Sequence, residues 1–116
     1  MCKYKTSSSG RKQKNSIISP TSSCLPVLNT ADNDTQGPSM IDGKEVNPLI
    51  GFAQTYIFNL SGNPAASIPA GFSKTGLPVG MQIVGRRFCD SDVLTVARTF
   101  EYMQPWRQSY LRSYAY

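Results

Sequence analysis

Several stretches of this sequence hold residue types that do chemistry, and each lacks the partner its chemistry needs. Ser7-Ser8-Ser9-Gly10 offers a run of hydroxyls, yet a serine nucleophile needs a base to take its proton and a positioned site for the oxyanion. The run stands in a basic segment with neither. The 116 residues include no histidine, so a Ser-His-Asp or Cys-His apparatus, or a histidine metal site, cannot be assembled from them. Gly37 to Lys44 resembles a phosphate loop, but it has one residue too many between its glycines, and Glu45 stands where Ser or Thr would bind magnesium. Gly71 to Gly76 has the right glycine spacing with Leu77 in place of the lysine. Asp32, Asp34 and Asp42 do not follow the spacing of a calcium loop. Cys2, Cys24 and Cys89 are odd in number and far apart, which implies neither a disulfide framework nor a zinc knuckle and fits a reducing, cytoplasmic setting. These stretches point to no catalytic residue, no metal site and no cofactor.

The elements that must position any site lie in the later part of the chain. Of the 25 Leu, Ile, Val and Phe residues, five fall in residues 1–40 and twenty in residues 41–116. Ile17-Ile18 running into Ser19-Pro20-Thr21 predicts the end of a short strand, because proline cannot extend an interior ladder and holds the preceding residue extended. From Pro20 to Asn47 the composition is that of a long surface loop, with Ala31 to Thr35 as its polar centre. Leu49, Phe52, Tyr56 and Leu60 have the spacing of one helix face. Ala66, Ile68, Ala70 and Phe72 alternate, which predicts a strand in which Pro69 needs a position where its missing donor is tolerated.

A turn at Ser73 to Gly76 leads to a second strand, with Val79, Met81 and Ile83 on one face and Gly80, Gln82 and Val84 on the other. The last element reads as a helix capped by Asp90 or Ser91, with Asp92 in its first turn. Val93, Val96, Ala97, Phe100 and Met103 line one side of it, Pro105 stops it, and Trp106 anchors its exit.

The net charge of +5 suggests nucleic acid at first sight, but its location argues otherwise. Lys3, Lys5, Arg11, Lys12 and Lys14 carry no acid among them, and the remaining seven basic residues are matched by seven acidic ones. The body is formally neutral, and residues 1–15 read as a basic, Ser-rich, disordered tail with nothing apolar to bury. No nucleic-acid partner is implied, since Tyr4 alone supplies no stacking platform. The charged N-terminus excludes a secretory signal, and no apolar run approaches the ~18 residues of a membrane span.

Taken in order, the segments Asn59 to Phe72 (NLSGNPAASIPAGF) and Gly76 to Gly85 (GLPVGMQIVG), then Phe100-Glu101 and Pro105-Trp106, closely resemble the C-terminal region of the amidase signature family. Ser19-Pro20-Thr21 also resembles the Pro-Thr that ends an upstream strand there. The resemblance covers roughly residues 16 to 107. It implies an α/β fold: the chain would be a C-terminal fragment of a mixed β-sheet, made of a β-hairpin, a C-terminal helix and a long preceding loop, with residues 16–116 as the partial domain. It implies amide hydrolysis through a Ser-Ser-Lys triad that needs no histidine and no cofactor. The Gly-Ser-rich signature and its lysine belong upstream of the matched region, so no catalytic residue is carried over.

Two functions follow from this reading. In the first, the chain is part of an amidase-family hydrolase of carbon–nitrogen bonds, inactive alone, whose partner is the missing N-terminal part of the fold or another chain. Phe52, Thr55 and Phe58 would then form one wall of a pocket for a small amide substrate, with a buried core helix as the alternative for the same residues. The amidotransferase branch of the family is expected to place an acid at the position matching Phe52. Phenylalanine cannot bind glutamine's polar end, so a more apolar substrate is implied. In the second function the chain is a non-catalytic interaction module or pseudoenzyme remnant that binds through its tail or exposed sheet edges.

Overall fold

A computed structural model describes residues 16–27 and 37–109. Its centre is a three-stranded antiparallel sheet in the order β1 (Ile17–Pro20), β5 (Pro78–Val84), β4 (Ala65–Phe72). β4 and β5 are joined by the expected hairpin. Gly76 takes φ +83°, its N–H donates to the Ser73 carbonyl at 3.0 Å, and Ser73 N–H donates to the Leu77 carbonyl at 2.8 Å. A positive φ is the conformation a side chain resists and glycine accepts. The ladder runs from Ala65↔Val84 to Phe72↔Pro78 and slips once, at a bulge between Pro69 and Gly71. β1 joins the other side of β5 with Ile17 opposite Val84 and Pro20 opposite Met81.

Successive strand residues point to opposite faces. Gln82, Ile83 and Val84 are all buried, so β5 is covered on both faces at this end. Helix α2 (Asp90–Met103) packs against β4 and β5 and contributes Val93, 3% exposed, to a core shared with Ile83, Val84 and Cys89. Asp90 and Asp92 fall in its first turn, where the dipole favours acids. The cap position itself is Cys89 and not Asp90 or Ser91, because the helix begins one residue earlier than the acid–serine pair suggests. Met103 is 77% exposed, so the buried stripe ends before the last turn.

The helix expected across residues 49–60 shrinks to α1 (Tyr56–Ser61). Asn47 Oδ1 accepts the Leu49 N–H at 2.9 Å, the Asn47 carbonyl accepts the Gly51 N–H at 2.7 Å, and Ala53 forms an antiparallel bridge with Ser22. These turns consume the first half of the predicted helix. No residue of α1 is buried, and Leu60 is 85% exposed. Gly62, at φ +69°, ends it in the left-handed conformation with its N–H on the Phe58 carbonyl.

The expected loop is not wholly irregular. β2 (Met40–Ile41) and β3 (Lys44–Glu45) form a small hairpin about Asp42-Gly43, both at positive φ as a primed turn requires. The basic tail, the polar centre at Ala31 to Thr35 and the tyrosines Tyr110, Tyr114 and Tyr116 lie outside the described residues. Cys24 is a free thiol, whereas Cys89 is disulfide-bonded, which departs from the all-reduced cysteines expected from their spacing. No helix among the described residues is long and apolar enough to cross a membrane.

Candidate functional site

Where β1 ends, its chain turns over the strand that neighbours it in the sheet. Thr21 N–H donates to the Gly80 carbonyl at 3.3 Å, and the Thr21 and Ser67 hydroxyls share a hydrogen bond of 2.8 Å across Gly80. A Cβ on Gly80 would stand 3.2 Å from Thr21 Oγ1, so Thr21 approaches this glycine closely. The segment after Thr21 then zips to residues 52–54. Ser23 N–H donates to the Phe52 carbonyl at 3.0 Å, and Gln54 N–H donates to the Thr21 carbonyl at 3.3 Å. The Ser22 and Ser23 hydroxyls also donate to the Phe52 carbonyl, at 3.3 and 3.1 Å.

Gln82 locks this junction to the sheet from below. It is 2% exposed, and its Nε2 donates to the carbonyls of Pro20 at 3.0 Å and Gln54 at 3.2 Å. A buried amide is tolerable only with such partners.

The result is a cleft of about 610 Å³ bounded by residues 20–27, by Gly37, Pro38 and Phe52, and by Pro78 to Gly80. Its lining is mostly apolar, from Pro20, Leu25, Pro26, Val27, Phe52 and Val79, with Thr21, Ser22, Ser23 and Cys24 as its polar members. Size and lining suit a small organic ligand. The hydroxyls that face it are already committed: Ser22 and Ser23 hold the Phe52 carbonyl, and the Ser22 hydroxyl also lies 3.6 Å from Cys24 Sγ. The cleft thus presents apolar contact surface, and the Ser22 and Ser23 hydroxyls maintain its wall.

Of the three residues singled out from the sequence, Phe52 lines the cleft. Thr55 occupies the N-cap position of α1 without a side-chain cap bond, its carbonyl accepting the N–H groups of Phe58 and Asn59. Phe58 sits half-buried within α1, its carbonyl accepting from Gly62 N–H and the Ser61 hydroxyl. Neither lines the cleft with Phe52. Sequence reasoning missed Thr21 and Gln82 as builders of the site. The available signal was Gln82 itself, a polar side chain between Met81 and Ile83 in the most apolar strand.

Fold and cleft together define part of an α/β domain whose sheet borders a small, largely apolar cleft. The sequence model of the Amidase family matches residues 11–94, and the chain belongs to that family. It is 38% identical over 93 residues to an acylamidase of Rhodococcus erythropolis, covering 78% of this chain and 18% of that protein. Over 72 residues it is 47% identical to a component of the glutamyl-tRNA(Gln) amidotransferase of Pseudothermotoga lettingae, covering 60% of this chain and 15% of that one. Its structure superposes on a bacterial aryl acylamidase of the amidase signature enzymes with a TM-score of 0.78 and 48% identity, over 82% of this chain and 19% of the other. The chain therefore spans about a fifth of the length of these relatives and represents part of an amidase domain.

Proposed function

We propose that the chain is the C-terminal part of a hydrolase acting on carbon–nitrogen bonds, that it is inactive by itself, and that it supplies one wall of the pocket for an apolar acyl or aryl amide. Of Phe52, Thr55 and Phe58, Phe52 makes the direct contact with substrate, and Thr55 and Phe58 contribute through the short helix that follows it in the chain. The observation that carries this reading is the apolar cleft with Phe52 in its wall, the Phe52 carbonyl being held by Ser22 and Ser23. Identity of 48% to an aryl acylamidase over most of the chain supports it. The nucleophile and base come from the remainder of the domain, which is the chain's partner, and the chemistry needs no cofactor.

The test is to supply the 116-residue chain with the rest of an amidase domain and assay the product against an anilide and against glutamine. Hydrolysis of the anilide in preference to glutamine is expected. Loss of that preference on Phe52→Asp supports the assignment, and no anilide hydrolysis by the completed protein overturns it. The chain alone is expected to release no amine above background, and stoichiometric labelling of one of its serines by a fluorophosphonate would contradict that.

A further inference from the structure

Two walls of the cleft come from segments far apart in sequence: the chain leaving β1, Thr21 to Cys24, and Phe52. Neither belongs to a helix or a strand, so individual hydrogen bonds and not a continuous ladder set their height above the sheet at Pro78 to Gly80. The Phe52 ring abuts Gly37, where a Cβ would stand 2.6 Å from Cε1. Gly37 is itself in irregular chain, so the ring's position follows the backbone of residues 52–54.

Gln82 lies two residues beyond Gly80 on the same face of β5 and is not among the residues lining the cleft. Its amide hydrogens go to the Pro20 carbonyl at 3.0 Å and the Gln54 carbonyl at 3.2 Å. Pro20 immediately precedes Thr21, and Gln54 follows Phe52 by two residues. One side chain rooted in the sheet therefore holds both walls. Because both partners are carbonyl oxygens, only a group with two donors on one atom can serve them together. The clamp is 2% exposed, and in such surroundings a hydrogen bond left unmade costs more than at the surface.

We infer that Gln82 is a positioning residue for selectivity: by clamping Pro20 and Gln54 it fixes the gap between Phe52 and the sheet, and with it the size of acyl or aryl group the cleft accepts. The inference rests on the proposed pocket for an apolar amide and assigns what sets its width.

The 116-residue chain, completed with the rest of an amidase domain, is assayed against anilides whose para substituent grows from hydrogen to tert-butyl. Gln82→Met keeps the length of the side chain and removes both donors. It is expected to raise KM for the smallest anilide about tenfold with kcat within about threefold, and to shift preference toward the bulkier ones. A purely structural role would instead lower kcat equally for every anilide, through loss of folded protein, and leave KM unchanged; that result, or kinetics like the parent's, overturns the inference. If Gln82→Met does not fold, Gln82→Asn decides, since its shorter stem cannot reach both carbonyls: an unchanged size preference overturns the inference, and a shift toward bulkier anilides supports it. A second readout does not depend on hydrolysis. Cys24 is a free thiol in the cleft lining, and its labelling by N-phenylmaleimide and by N-ethylmaleimide is followed on the Cys24 peptide by mass spectrometry. Gln82→Met is expected to change the ratio of the two rates by about threefold or more. Should the completed parent hydrolyse no anilide, the proposed activity falls, and the thiol ratio decides this inference alone: a ratio unchanged by the substitution overturns it.

Discussion

Gly76 and Gly80 sit four residues apart and restrict substitution for different reasons. Gly76 has open space around its Cβ position and φ +83°, so Gly76→Val meets only backbone strain, expected to cost about 1–3 kcal/mol. Gly80 has ordinary backbone and Thr21 against it. Gly80→Leu is expected to cost about 1–3 kcal/mol or more by overpacking, and to disturb the Thr21–Ser67 bond as well, making it the worse of the two. Lys74→Ala, exposed in the same hairpin, should melt like the parent. Thermal melting of the three variants in the completed domain checks this ordering, and equal melting of all three would contradict it. Phe52→Ala tests the cleft at the same scale. Trimming a half-buried ring from an apolar wall should raise KM for an anilide by about tenfold and leave kcat less affected.

Among the elements, α2 illustrates how packing selects from a periodic sequence. Val93, buried against the sheet, stands where a Gly85 Cβ would be 2.6 Å from its Cγ2. Val93→Ala is expected to destabilise by about 1.5–3 kcal/mol, while Met103→Ala, at an exposed position on the same expected stripe, should be close to neutral in the same denaturant titration. β4, β5, their turn and α2 were legible in the sequence because each is set by local signals: alternation, a glycine at the turn, acids at a helix start and a proline after its end. The helix across residues 49–60 was misread because its competitor is non-local. The bridge to Ser22 and the bonds from Ser23 lie some thirty residues away in sequence, and no periodicity announces them. The cleft was half legible for the same reason. Phe52 could be named through a resemblance, whereas Thr21 and Gln82 become site residues only once β1 is laid beside β5.

At the scale of the molecule, the balance of covered and uncovered surface decides behaviour. Four apolar residues are buried among the described residues, while Ile17, Ile18, Leu49, Ile50, Ile57 and Leu60 remain at least half exposed. A core so small is poorly matched to the cost of ordering the chain. The isolated chain is expected to be self-associated or partly unfolded, read as concentration-dependent sedimentation and a broad melt, and to gain a sharp cooperative transition when the remaining domain is added. A monomer that melts sharply by itself would contradict this.

Pro69 has a consequence for how copies of the chain accumulate when no partner is present. Endless stacking of sheets edge to edge requires every unit to offer two receptive sides, one for each neighbour. Here each outer strand turns a proline outward, Pro69 on β4 beside a bulge and Pro20 on β1, so neither side offers an unbroken row of donors. Concentrated preparations should consequently yield dimers or amorphous precipitate and no fibrils, seen as an absence of thioflavin T fluorescence. Pro20→Val combined with Pro69→Val, which restores both donors, should open the route to filament growth.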